Sequence, residues 1–111
     1  MFTIFGFYKF QKINNPKKNQ KMLNNLLVNK NIYGSIIVSE EGLNGSISGK
    51  NKDIKATIIK LKKIFSIKKF DSSNNSKSKF KPFHKSKVKI KKEVVPMDFK
   101  ISNKIKKKNT H

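Results

Sequence analysis

The chain has 111 residues, of which 35% are hydrophobic and 30% are charged, so it is long enough for one modest domain with polar loops. It contains no cysteine, which excludes disulfides, thiolate metal sites and a cysteine nucleophile within the chain. The N-terminus lacks the basic region and cleavage site of a signal peptide, and no apolar run approaches the roughly 20 residues that span a bilayer. We therefore expect a soluble, cytoplasmic protein with no membrane partner.

The formal net charge of +21 favours polyanionic partners, with RNA and DNA ahead of anionic membranes. Every one of the strongly basic side chains is a lysine, because the sequence contains no arginine. Lysines hold phosphates but lack the planar guanidinium that reads guanine, so we expect backbone contacts without sequence reading. An alternative stays open: A/T-rich codons alone would also fill neutral surface positions with Lys, Asn and Ile.

The chain begins with a predicted strand and a predicted helix. Aromatic and β-branched residues crowd 2–10, which favours a strand. Asn15 then suits a helix N-cap, and Pro16 suits the first helical position. An apolar stripe at helical spacing follows, so we predict the first helix over 16–30.

A short hairpin is predicted next. The apolar run 32–39 predicts the second strand, 46–48 predicts a brief third strand, and 40–45 supplies the turn. The dipeptide Asn44-Gly45 is typical of tight hairpin turns, because both central positions of such turns need a positive φ.

The second half of the chain begins with another amphipathic helix. Asn51 is a candidate cap, and a single-face apolar stripe predicts the helix over 52–65. The short apolar patch 67–70 is compatible with a strand, whereas the Ser/Asn/Lys-rich segment 71–79 favours a flexible loop. The last strand is expected within 83–95.

The predicted order is strand, helix, strand, strand, helix, strand. This order is typical of an α+β fold of the ferredoxin-like or acylphosphatase-like class, a βαββαβ sandwich. We expect an antiparallel sheet with two helices on one face. The domain is expected to occupy 1–100, and 101–111 is interpreted as a basic linker because it has too little apolar content to pack.

The last predicted strand carries the candidate binding residues. Its lysines alternate with Val88 and Ile90, so lysines on one face recur about every 6.6 Å along an extended strand. That spacing is close to the roughly 6–7 Å between phosphates of an extended single strand, so the row is a candidate support for an RNA backbone. The alternative is an ordinary half-buried strand with a lysine outer face. The candidate RNA-binding residues are Lys85, Lys87, Lys89 and Lys91.

Three aromatic residues are candidate platforms for base stacking or, alternatively, parts of the core and its cover: Tyr8, Phe80 and Phe83. His84 has no Cys, His, Asp or Glu at ligand spacing around it, so no metal site is predicted. No glycine-rich phosphate loop precedes a helix either. We therefore expect no cofactor.

The predicted turn is interpreted as structural rather than catalytic. Glu40 and Glu41 are adjacent, and neighbouring residues of a strand point to opposite faces, which is poor geometry for a pair of acid/base carboxylates. The residues assigned to this structural turn are Glu41, Gly42, Asn44 and Gly45.

Three stretches of the sequence resemble a known family and follow that family's order. Tyr8-Lys9-Phe10 resembles its opening strand motif. Glu41–Gly49 resembles its Glu-Gly-Ile-Asn-Gly-Thr-Ile-(Ala/Ser)-Gly segment, and Phe83–Val95 resembles its Phe…Val-Lys-x-(Lys/Arg)-x-Glu-Ile-Val segment. The family is that of the rhodanese-domain tRNA uridine hydroxylases.

The resemblance implies a ferredoxin-like N-terminal domain that helps to engage tRNA, followed in cis by a rhodanese domain with a catalytic cysteine. Such an enzyme uses oxygen to make 5-hydroxyuridine at the wobble position. The present chain ends about where a rhodanese domain is expected to begin, and it has no cysteine. No catalytic residue is carried over, and we expect the chain to be inactive alone.

Two other functions stay open. One is a stand-alone basic module that binds RNA or DNA by charge. The other is an acylphosphatase-like hydrolase on the same fold, whose chemistry would use an arginine that this chain lacks.

Overall fold

The computed structural model describes residues 1–92, which form a five-stranded sheet and two helices. The strands are β1 (Phe2–Phe10), β2 (Tyr33–Ser39), β3 (Gly42–Gly49), β4 (Ser72–Ser78) and β5 (Ser86–Ile90), and the helices are α1 (Pro16–Asn29) and α2 (Asn51–Phe65). The strand order across the sheet is β4-β1-β3-β2-β5. The predicted linker 101–111, the end of the predicted domain and the end of the predicted last strand lie outside the described residues.

The α+β fold class is confirmed, but the direction of one strand differs from the prediction. β1 is antiparallel to β3 and to β4, and β2 is antiparallel to β3. β5 instead lies parallel to β2, in the register that pairs Ile36 with Val88. β5 has this direction because the connection 79–85 crosses the end of the sheet at which β4 finishes, from the β4 edge to the β5 edge. β5 therefore starts at that end, as β2 does. The sheet is therefore mixed rather than wholly antiparallel.

The prediction of a flexible loop over 71–79 is wrong, because this segment contains the edge strand β4. Its serines and asparagines have little intrinsic preference for strands. Backbone pairing along β1 holds β4 instead, and Asp71 fixes the start of that pairing. The Asp71 carboxylate accepts a hydrogen bond from the backbone N–H of Phe10 at 2.6 Å, and the Asp71 N–H donates to the Tyr8 carbonyl at 3.0 Å. β4, not the lysine strand, thus completes the βαββαβ order.

The apolar patch 67–70 belongs to the loop before β4 and is not a strand. Ile67 and Phe70 are both buried. The Phe70 ring packs against Phe5 and Phe7, with centroid distances of 5.7 and 5.2 Å. The patch is apolar because it covers one end of the core.

The hairpin turn also lies earlier than predicted. Glu40 and Glu41 alone form the turn, because β2 and β3 pair up to the residues on either side of them. Asn44 and Gly45 lie inside β3, so the assignment of the turn to them is wrong.

Two glycines of the hairpin are required by close approach rather than by a turn. Gly42 has a φ of 147°, and a Cβ there would collide with the Lys9 carbonyl oxygen of β1. A Cβ on Gly45 would lie 2.7 Å from the carbonyl oxygen of Ser35 in β2. β3 therefore fits between β1 and β2 only because these positions have no side chain.

The helix starts follow the sequence closely. Asn15 caps α1 as predicted, since its side-chain oxygen accepts a hydrogen bond from the Lys18 N–H at 3.2 Å. α2 begins one residue earlier than predicted, with Lys50 at the N-cap position. Asn51, the predicted cap, is instead the first helical residue, and its side-chain oxygen accepts a hydrogen bond from the Thr3 hydroxyl at 3.2 Å.

The core lies between the two helices and one face of the sheet. α1 contacts β2 and β5, whereas α2 contacts β1 and β3. Apolar side chains with no measurable exposure come from both layers: Leu23, Leu27, Ile36, Val38, Leu43, Ile47 and Leu61. Among residues 1–92, neither helix is long and apolar enough to cross a membrane.

Candidate nucleic-acid interface

The lysine row, defined as Lys85, Lys87, Lys89 and Lys91, follows the β5 edge of the sheet. All four side chains are exposed, while Val88 between them is buried. The predicted alternation is confirmed at Val88, whereas Ile90 is exposed at the end of the strand. The two ends of the row are held to β2, because the Gly34 N–H donates to the Lys85 carbonyl at 2.8 Å and the Lys91 N–H donates to the Val38 carbonyl at 2.9 Å.

The middle of the row faces away from the helices, whereas Lys91 at its end lines a pocket with the start of α1. Val88 is paired with Ile36 and points with it into the core, so Lys87 and Lys89 project from the opposite side of the sheet. There they stand beside Ser35 and Ile37 of β2. We call this side of the sheet the open face. On this face lie those residues of each strand whose side chains do not enter the core.

The open face is mixed, with small polar side chains in its middle, Ile37 on β2, and Ile4 and aromatic rings on β1. Ser35 is paired with Ser46, and Asn44 is paired with Tyr8. The rings of Tyr8 and Phe10 pack edge to face with centroids 5.4 Å apart, and Phe10 is 44% exposed. Small polar residues and partly exposed rings beside a basic edge are typical of surfaces that bind single-stranded nucleic acid.

Within residues 1–92 the lysine row forms no ion pair, and the acid near it is Glu40, which lines the same pocket as Lys91 at one end of the row. The ion pair found in that part of the chain joins Lys9 to Asp71, with 3.4 Å between Nζ and Oδ1, at the opposite edge of the sheet. Each lysine of the row is exposed. The β5 edge therefore presents a concentrated positive charge to solvent.

Two of the stretches that resemble the hydroxylase family are paired with each other. Tyr8-Lys9-Phe10 of β1 lies against Gly42-Leu43-Asn44 of β3, so that Lys9 is the partner of Leu43. Leu43 is fully buried, as expected for an anchor of the hairpin. This pairing explains why both stretches are distinctive: each supplies one side of a close backbone contact.

The two acids of the hairpin have structural contacts through their backbones. The Glu41 carbonyl accepts a hydrogen bond from the Gln11 N–H at 3.0 Å, and the Glu40 carbonyl accepts one from the Ile13 N–H at 3.1 Å. Both side chains are exposed. The turn thus fixes the segment that follows β1, and the carboxylates are not enclosed in a site.

The connection 79–85, which runs from the β4 edge to the β5 edge, carries two aromatic residues, Phe80 and Phe83. Phe80 is 81% exposed, whereas Phe83 and Tyr8 are half-buried. Lys81 lies over the ring of Tyr33, with Nζ 3.6 Å from the ring centroid. Sequence reasoning did not single out this lysine–tyrosine contact, because nothing in the spacing of the two residues links β2 to a loop so much later in the chain.

Titratable side chains offer no assembled metal site in the part of the chain that the structure describes. His84 is exposed, and no three His, Cys, Asp or Glu side chains come together within residues 1–92.

The sequence model of one protein family, described as the UPF0176 acylphosphatase-like domain, matches residues 2–94. Among curated relatives, a tRNA uridine(34) hydroxylase of Pelagibacter ubique (strain HTCC1062) is 61% identical over 98% of this chain and 36% of its own length. The protein of the same name from Rickettsia bellii (strain RML369-C) is 37% identical over 86% of this chain and 38% of its own length. The chain spans about a third of the length of these relatives.

Solved structures support the fold. Full-length HypF, in its phosphate- and nucleotide-bound form, superposes with a TM-score of 0.59 at 18% identity, over 86% of this chain and 13% of that chain. A bacterial light-regulated adenylyl cyclase gives a TM-score of 0.60 at 13% identity, over 99% of this chain and 34% of that chain. Similarities at such low identity concern the fold alone.

The family match extends over almost all of the residues that form the sheet and helices, and it includes all three stretches that resemble the tRNA uridine hydroxylases except the last residue of the third. The resemblance identified from those stretches is confirmed by the names and identities of the relatives. The chain belongs to the family of the UPF0176 acylphosphatase-like domain.

Proposed function

We propose that this chain is a tRNA-engaging, non-catalytic domain of a cytoplasmic tRNA uridine hydroxylase that forms 5-hydroxyuridine at the wobble position. The observation that carries the proposal is the lysine row, exposed at the β5 edge of a sheet whose open face also carries Tyr8, Phe10 and Asn44. The names of the relatives support tRNA as the nucleic acid. The chemistry is assigned to a Cys-bearing rhodanese domain in cis, within the two thirds of such proteins that this chain does not span.

The side-chain composition of the chain and the exposure of its acids support a role in binding rather than in catalysis. The chain has no cysteine, and Glu40 and Glu41 are exposed on a turn instead of facing each other in a cleft. Its basic groups are all lysines, which hold phosphates as point charges. The domain therefore grips the backbone of tRNA with little preference for base sequence, and selection of the wobble uridine falls to the rest of the enzyme.

Binding of unmodified tRNA to the 111-residue chain, measured by fluorescence anisotropy between 50 and 200 mM salt, tests the proposal. In one variant the four lysines of the row are changed to Gln. A matched control changes four exposed lysines of α2 on the other side of the sheet to Gln: Lys52, Lys55, Lys60 and Lys63. Both variants lose four positive charges, so they differ only in the position of the lysines that are replaced.

We expect the row variant to bind more weakly and its salt dependence to fall by about 3 in log–log slope, because each phosphate contact along a single strand contributes about 0.7. The α2 control should change far less. Equal losses in the two variants, or equal affinity of the unaltered chain for tRNA and random duplex DNA, would mean that net charge alone drives binding. Absence of binding at low salt would contradict the proposal altogether.

A further inference from the structure

Phe80 is the most exposed large apolar side chain in the described part of the protein, at 81%. It lies in the connection 79–85 between two lysines, Lys79 and Lys81. An aromatic ring in a loop usually serves as the buried anchor of that loop, because burial of so large an apolar surface is favourable. Here the Phe80 ring points into solvent, and Ser78 and Lys81 on either side of it hold the loop on the domain.

The backbone around Phe80 is fixed from one side by Ser78. The Ser78 hydroxyl accepts a hydrogen bond from the Phe80 N–H at 3.1 Å and donates one to the Phe80 carbonyl at 2.7 Å. Both polar backbone groups of Phe80 are thereby satisfied by one side chain at the end of β4. The ring is thus held in an exposed position.

Lys81 fixes the other side of Phe80. Its ammonium group lies 3.6 Å from the centroid of the Tyr33 ring, which places it in cation–π contact with β2. The usual roles in a loop are thus exchanged: the lysine is packed on the body of the domain, and the phenylalanine is in water.

The charge around the ring defines the partner that fits it. From Lys77 to Lys85 the ionisable residues are four lysines and His84, and this segment contains no acid. An apolar protein surface would gain little from one isolated ring surrounded by cations. A nucleobase provides a planar face for the ring and carries a phosphate on each side for the lysines.

We propose that Phe80 stacks against an unpaired nucleobase while the exposed Lys79 contacts a phosphate beside it. The proposal rests on the proposed function and adds that the domain prefers unpaired RNA. The connection ends at Lys85, the first residue of the lysine row, so the loop that holds Phe80 continues directly into the row.

The test uses the absence of tryptophan from the chain. Phe80→Trp introduces a single indole at the proposed stacking site, and its fluorescence is recorded during titration with a short RNA stem-loop and with a blunt duplex of the same stem. Ile59→Trp is the matched control, because Ile59 is 64% exposed on α2 and also has lysines nearby in sequence. We expect the stem-loop to quench Trp at position 80, the duplex to leave it unchanged, and neither RNA to quench the control.

Affinity gives an independent readout. Phe80→Ala should weaken stem-loop binding by about 5- to 150-fold, the range that follows from the loss of one stacked base, and should leave duplex binding unchanged. Phe80→Tyr should retain affinity, because it keeps the aromatic face. The Tm of Phe80→Ala should match that of the unaltered chain, since an exposed ring does not stabilise the fold.

Three results would overturn the stacking proposal: an unquenched Trp at position 80, stem-loop affinity unchanged by Phe80→Ala, or a clearly lower Tm for that variant. The last would mean that the ring packs against the protein. If the unaltered chain binds neither RNA, the proposed function fails and the stacking proposal with it. If binding depends on the lysine row but not on Phe80, only the stacking proposal fails.

Discussion

The two edges of the sheet are held by different means. β4 is polar throughout and almost fully exposed, and it stays in place through backbone pairing with β1 and through Asp71. β5 places Val88 in the core, and α1 supplies a further bond because the Gln20 side chain donates to the Val88 carbonyl at 2.7 Å. Both edges are hydrogen-bonded to a neighbouring strand, but only β5 is also anchored by a buried side chain. Only β5 contains apolar residues that alternate with lysines, so only β5 can be recognised as a strand from its own sequence.

The largest expected effect is at Val88. Val88→Asp should destabilise the domain by more than about 3 kcal/mol or prevent folding, because it places an unpaired charge in the core. Asn75→Asp in β4 introduces the same charge at an exposed position and should change stability by less than about 0.5 kcal/mol. Urea unfolding followed by circular dichroism measures both variants. Similar losses would show that the two edges are equally buried.

The next largest effect is at Asp71. Asp71→Ala removes the acceptor for the Phe10 N–H and should cost about 1.5–3 kcal/mol, the usual range for a hydrogen bond to a charged group. Asp71→Asn keeps an oxygen acceptor and should lose less, since the exposed ion pair with Lys9 contributes at most about 1 kcal/mol. Urea midpoints give the free energies, and hydrogen exchange of the β4 amides locates the loss. Faster exchange at β5 instead would contradict the assignment of Asp71 to the β4 edge.

A smaller effect is expected at Gln20. Gln20→Ala removes the bond from α1 to the Val88 carbonyl and should cost about 0.5–1.5 kcal/mol. Lys21→Ala, at the exposed neighbouring position of α1, is the control and should be close to neutral. Thermal unfolding of the pair separates the bond from a general effect on the helix. A neutral Gln20→Ala would mean that pairing with β2 and burial of Val88 hold the β5 edge without help from this bond.

The smallest effect is expected in the lysine row itself. Replacement of Lys87 and Lys89 with Gln should change the free energy of unfolding by less than about 0.5 kcal/mol, because both side chains are exposed. Thermal unfolding at low and high salt is the measurement. A loss of stability would show that these lysines hold β5 in place, and their role in binding would then need separate evidence.

Sequence patterns were sufficient where the local residues determine the structure. The Asn15 cap and the following proline marked the start of α1, and the alternation around Val88 marked β5 and its exposed face. β4 could not be found in this way, because its stability comes from β1, a segment more than sixty residues earlier in the chain.

The hairpin illustrates a second limit. Asn44-Gly45 has the composition of a turn, but Gly45 is there because β2 passes too close for a side chain. That requirement arises only when the strands are assembled. The exposure of Phe80 was equally inaccessible, since the sequence does not reveal that Ser78 and Lys81 take over the anchoring of its loop.

The parallel pairing of β5 with β2 bears on how the interface forms. Both elements that hold β5, α1 and β2, lie within the first 39 residues, whereas β5 begins at Ser86. The lysine row is therefore fixed on the sheet only when segments distant in sequence have met, which requires closure of a long loop. A polyanion that binds the row selects the completed five-stranded form, so ligand binding and closure of the last edge become linked equilibria.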